Sequence, residues 1–92
     1  MARKQPEFQP GAILHEVIIG AFQANGHSFE HWCKENGLTP SNGRNATFGQ
    51  SRGEFGRRNL DMIINAAGRD FVRSAYSRRL LEYAEQLKKG AA

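Results

Sequence analysis

Ninety-two residues with 39% apolar content can form one compact core and not two. No apolar run approaches the roughly eighteen residues a membrane span needs, residues 1–10 are too polar and basic for a secretory leader, and a lone cysteine excludes an intrachain disulfide. The formal net charge of +4 leaves a polyanionic partner and a merely solvated basic surface both open.

Residues 1–10 carry Arg3, Lys4, Pro6 and Pro10 with little periodicity, and predict a flexible basic arm. Such an arm is either a solvated tail or a segment that follows the nucleic-acid backbone or enters the minor groove, with Phe8 free to tuck onto the core. Residues 11–25 predict the first helix, where Ile13, Leu14, Val17, Ile18, Ala21 and Phe22 form a broad apolar stripe. Asn25-Gly26 ends it, and Gly20 offers a close helix contact.

Residues 28–48 predict two short helices across a tight turn. Ser28 can cap the first by accepting a backbone N–H, and Phe29, Trp32 and Cys33 fall on one face. Gly37 stands where a helix ends in the left-handed conformation, followed by Leu38 as a buried turn residue. Thr39 caps the second helix, and Pro40 takes its first position, where no N–H is required. That helix carries Ser41, Asn42, Arg44, Asn45 and Thr47, side chains of the kind that hydrogen-bond base edges and phosphates. Helix, glycine turn and polar helix together form the plan of a DNA-reading helix-turn-helix.

On these residues the chain resembles the helix-turn-helix of lambda-repressor-like domains, and more closely the Ner-like phage regulators. The matching positions are Gly37, Leu38, Thr39, Pro40, Arg44 and Asn45. Two positions depart from the family pattern. Gly43 replaces the apolar residue that packs the reading helix, which predicts a short or irregular helix or one ordered on DNA. Cys33 replaces a usual Ala, a mild change for a small hydrophobe. The resemblance implies major-groove contacts from Thr39, Ser41, Asn42, Arg44 and Asn45. It also places the segment after the reading helix near the phosphate backbone, with Arg52 as a clamp.

Residues 50–53 read as a loop whose glycine neighbours expose backbone N–H groups. Residues 54–67 predict a helix with Phe55, Leu60, Ile63, Ile64 and Ala67 toward the core, closed by Gly68. Arg57 and Arg58 lie in its first two turns, unfavourably placed against the helix dipole unless a polyanion is near. Residues 69–89 predict the longest helix, striped by Val72, Ala75, Tyr76, Leu80, Tyr83 and Leu87, with Leu81 and Ala84 alongside. This helix either completes the monomer core or pairs with a second copy as a homodimer.

The charge is unevenly spread: residues 1–5 carry +2, 6–43 carry −3, 44–58 carry +3, 59–68 carry −1 and 69–92 carry +3. A basic arm and a basic chain from the reading helix onward match the footprint of a phosphate-binding face. His27, His31 and Cys33 lie close in sequence, but no second cysteine or nearby carboxylate completes a metal set. No nucleophile turn or phosphate loop occurs, so neither an enzyme nor a cofactor is expected. Trp32 reads as core, whereas Phe48 reads either as an anchor for the reading helix or as a contact to a thymine methyl.

The expectation is an all-α bundle of about five helices. It divides into an arm at 1–10, a helix-turn-helix domain at 11–68, and a C-terminal helix at 69–92. The expected function is sequence-specific regulation of transcription from double-stranded DNA, of phage or prophage type, in the cytoplasm at the nucleoid of a bacterial host. Thr39, Ser41, Asn42, Arg44 and Asn45 enter the major groove, Ser28, Arg52, Arg57 and Arg58 hold phosphates, and Arg3 and Lys4 add reach. The alternatives are a small helical module that binds a partner such as the transcription machinery through residues 69–89, and an architectural DNA-binding protein.

Overall fold

The computed structural model describes residues 7–51 and 53–91. Five α-helices account for the regular structure among them: α1 (Ala12–Ala24), α2 (Phe29–Glu35), α3 (Pro40–Phe48), α4 (Glu54–Ala67) and α5 (Arg69–Ala91). The fold is all-α, and no helix of the described residues is long and apolar enough to cross a membrane.

Helix α1 is the centre of the bundle and packs against each of the other four. Its stripe is the reason: Leu14, Val17, Ile18, Ala21 and Phe22 are all buried. They meet Phe29 and Cys33 of α2, Ala46 of α3, Ile63, Ile64 and Ala67 of α4, and Val72 and Tyr76 of α5 in one core. Trp32 packs against that core from its edge. Gly20 is open to solvent, with nothing near a Cβ placed there, so no helix uses it for close approach.

Local polar chemistry sets the boundaries of the two short helices. Ser28 Oγ accepts the His31 N–H at 3.3 Å, and Thr39 Oγ1 accepts the Asn42 N–H at 3.0 Å. Pro40 opens α3. Gly37 turns the chain at φ 77°, a conformation costly for other residues, and this lets the Leu38 N–H reach back to the Cys33 carbonyl at 2.8 Å. Leu38 is then buried under the turn.

Three expectations need correction. The first concerns the arm. Residues 1–6, including Arg3 and Lys4, lie outside the described residues, but residues 7–10 are strapped onto α5. The Glu7 carboxylate accepts from the guanidinium groups of both Arg69 and Arg73, including Arg73 Nε at 2.8 Å. Phe8 is buried edge-on against Tyr76, with ring centroids 5.5 Å apart. The Gln9 N–H donates to the Tyr76 hydroxyl at 3.0 Å, and that hydroxyl donates to the Gln9 carbonyl at 3.3 Å.

The second concerns α4 and α5. Phe55 is 59% exposed, because Gly56 and Asn59 take the inward positions of that turn instead. Over residues 69–90 of α5 only Val72 and Tyr76 are buried, with Ala75 packed alongside them. From Leu80 onward the helix stands clear of the body, leaving Leu80, Leu81, Tyr83 and Leu87 between 42% and 70% exposed.

The third concerns Gly43. Helix α3 is regular over nine residues, and Gly43 is buried within it. A Cβ on Gly43 would lie 2.6 Å from Cys33 Sγ and 3.0 Å from Phe29 Cζ. The glycine therefore makes room for α2 to approach, and the space that its missing side chain leaves is filled by the Cys33 thiol and the Phe29 ring. Gly43 and Cys33 are thus one exchange of volume across the α2–α3 contact.

Candidate nucleic-acid interface

Helix α3 has two faces. Gly43, Ala46 and Thr47 are buried against the bundle. Ser41, Arg44 and Phe48 are exposed and Asn45 is half-buried, and their spacing of i, i+3, i+4, i+7 puts them along one strip. Asn42 lies at the side of this strip and is half-buried. Thr39 is exposed, but its hydroxyl is already an acceptor for the helix cap.

Two concavities flank this strip. One, of 470 Å3, lies toward α1 and α2 and brings Arg44 and Ser28 together with His15, His27, Phe29 and Glu30. The other, of 280 Å3, joins Phe48 to Gly49, Ser51, Gly56 and Arg57. The structure thus gathers Ser28, Ser41, Arg44, Asn45 and Arg57 around α3. Arg58 shares α4 with Arg57 but lies outside both concavities. It is exposed and faces Glu54 at 4.0 Å. Arg52 lies outside the described residues.

The basic charge is less uniform than the sequence count suggests. Arg69 and Arg73 are tied to Glu7, with Asp61 and Asp70 as further partners, and Arg79 bridges to Glu16 at 2.8 Å. Hydrogen bonds from Arg73 hold the Glu7 carboxyl below its usual pKa. These arginines fasten α5 to residue 7, to α4 and to α1. Arg44 has one acidic neighbour, Glu30 at 3.8 Å, and Arg57 is exposed with no carboxylate partner among the described residues.

Two residues of this region carry more than their sequence positions suggest. His15 of α1 reaches α3: its Nδ1 lies 2.8 Å from Thr47 Oγ1, and its ring stacks on Phe48 at 4.1 Å. Burial lowers the His15 pKa, and the Arg44 charge lowers it further. Thr47 Oγ1 in turn donates to the Arg44 carbonyl at 3.1 Å. In the sequence, His15 is one polar residue inside an apolar stripe, and nothing in its spacing shows a partner 32 positions away. The i, i+4 relation of Phe48 to Arg44 was the available signal for Phe48.

His27 and His31 are exposed, while Cys33 is buried and its thiol pKa is raised by that burial. Among the described residues no three His, Cys, Asp or Glu side chains are grouped to hold a metal ion. No family model, curated protein or solved structure matches this chain.

Proposed function

We propose that this chain is a sequence-specific double-stranded DNA-binding regulator of transcription, of the lambda-repressor-like type found in phage and prophage, acting at a promoter or operator by binding rather than catalysis. The observation that carries the reading is the outward face of α3. Two short capped helices meet across a glycine turn, and the second presents Ser41, Arg44 and Asn45 away from the core. Arg44 to guanine or Asn45 to adenine is the principal base contact. Thr39 and Asn42 approach the groove from the start of the helix. Ser28, Arg57 and Arg58 contact phosphates, with Arg3, Lys4 and Arg52 as additional cations.

The test is fluorescence anisotropy with random duplex DNA and with the upstream region of the protein's own source, at two salt concentrations. Tight binding to one segment that survives the higher salt is the expected result. Arg44→Ala should change sequence preference, whereas Arg57→Ala should weaken all DNA equally and reduce the salt slope by about one. Unchanged specificity in Arg44→Ala would refute the assignment of the reading helix. Equal binding to both DNAs only at low salt would favour an architectural role.

One observation favours a second reading. The outer half of α5 leaves Leu80, Leu81, Tyr83 and Leu87 uncovered. A 570 Å3 groove between it and the start of α1 is lined by Ile13, Tyr76, Leu80 and Tyr83. This face suits helix packing, either with a second copy, which would pair two DNA half-sites, or with a protein of the transcription machinery. A mass near 10.3 kDa in solution at micromolar concentration would exclude the homodimer.

A further inference from the structure

We propose that Phe48 is a specificity-determining residue, reading the C5-methyl group of a pyrimidine in the major groove. The inference rests on the DNA-reading function above and assigns α3 an apolar contact beside its polar ones.

Phe48 continues the strip of Ser41, Arg44 and Asn45 at i+7 and i+4. It lies about 6 Å along the helix axis from Arg44, which is close to two base-pair steps. The ring is 39% exposed: one side is covered by the His15 ring of α1, and the remainder is open to solvent on the outward strip of α3. An apolar ring in that position has no core to fill with its outer edge.

The ring is also held in place. It stacks on His15 with centroids 4.1 Å apart and planes 24° from parallel. His15 is oriented in turn by Thr47. The Thr47 hydroxyl lies within hydrogen-bond distance of both His15 Nδ1, at 2.8 Å, and the Arg44 carbonyl, at 3.1 Å. The chain Arg44 carbonyl, Thr47 hydroxyl, His15 ring, Phe48 ring locks the aromatic edge relative to the Arg44 backbone. A side chain already fixed loses little freedom on binding.

The chemistry of the target follows from the ring. Phenylalanine neither donates nor accepts a hydrogen bond. Of the groups that base pairs display in the major groove, the pyrimidine C5-methyl is the apolar one. Thymine and 5-methylcytosine share it.

The experiment uses the full chain and duplexes enriched by binding selection. In the enriched duplex each thymine is replaced in turn by uracil, which removes the methyl alone, and each cytosine by 5-methylcytosine, which adds it. Affinities are measured for wild type, Phe48→Ala and Phe48→Leu, with circular dichroism to establish that the variants fold. Wild type should lose about fourfold in affinity at one thymine-to-uracil position, or gain about fourfold at one methylated cytosine, the effect of burying one methyl. The first outcome identifies thymine as the target, the second 5-methylcytosine. The factor should fall to near one in Phe48→Ala and be partly retained in Phe48→Leu. A wild type that binds its selected duplex and ignores every such exchange overturns the proposal, as does a methyl effect that survives in Phe48→Ala. Failure of selection to enrich any sequence overturns the DNA-reading function itself, and the methyl reading with it.

Discussion

Replacing Gly43 by alanine tests whether α2 and α3 are joined by exchanged volume. By helix propensity alone the change should stabilise α3 by about 1 kcal/mol. The structure predicts the opposite. The new methyl would lie 2.6 Å from Cys33 Sγ and 3.0 Å from Phe29 Cζ, both well inside van der Waals separation. Neither neighbour can swing into solvent, since Cys33 is fully buried and Phe29 is 6% exposed. Overpacking of this kind costs about 1–3 kcal/mol, so the net effect should be a loss of up to about 2 kcal/mol. The same substitution in a Cys33→Ala background meets no sulfur and only the Phe29 ring edge. There it should be neutral or stabilising, with a coupling of about 1–2 kcal/mol between the two sites. Urea denaturation of the four proteins closes the cycle. Additive effects, or a Gly43→Ala protein more stable than wild type, would refute the packing account and return Gly43 to a simple helix weakener.

Gly56→Ala should be far more damaging, by more than about 3 kcal/mol in thermal or urea unfolding, because its methyl would sit 1.9 Å from the Ser51 carbonyl oxygen, a backbone atom. Tyr76→Phe should cost about 1 kcal/mol by removing the hydroxyl shared with Gln9, and amide exchange should show the Gln9 N–H losing protection before the helices do. Burial and the Arg44 charge depress the His15 pKa, so the folded state binds fewer protons here than the unfolded one. That contribution is complete above the unfolded value of 6.5 and is lost as pH falls below it. A His15→Gln protein should therefore show a shallower decline of stability from pH 6.5 downward, and an unchanged slope would place the depression elsewhere.

The helices were legible in the sequence to the extent that their signals are local. Ser28, Gly37, Thr39 and Pro40 mark boundaries by hydrogen bonding and φ preference within a few residues, and each does so here. The stripe of α1 was equally plain, because its 3.6-residue period is a property of one segment. Phe55 was misplaced because two residues at adjacent angles can each take the inward position, and only the neighbouring helix decides. The Gly56 approach to Ser51, made across the loop, gave that position to the glycine. Gly43 was read for its propensity and not for its emptiness, since the thiol that fills the space lies in another helix. On the outward strip of α3, Ser41, Arg44 and Asn45 stood out in the sequence by residue type. The His15–Thr47–Phe48 relay did not, since it joins positions with no periodic relation. Charge counting overstated the basic surface, because pairing of Arg69, Arg73 and Arg79 with Glu7, Asp61, Asp70 and Glu16 depends on tertiary geometry.

The strap of residues 7–10 bears on the order in which the chain can fold. Its contacts join Glu7 and Gln9 to residues 62 to 67 positions later, long loops for side-chain hydrogen bonds to close. Loop closure of that length is entropically costly and is recovered only when both ends are present. During synthesis Phe8 emerges well before Tyr76 and has no ring to pack against until Tyr76 has been made. A chain halted at Gly68 would contain α1 to α4 and leave Phe8 without the Tyr76 ring that it packs against. Helix α5 thus supplies the partners that hold residues 7–10 on the bundle, and a fragment ending at Gly68 would lose that closure.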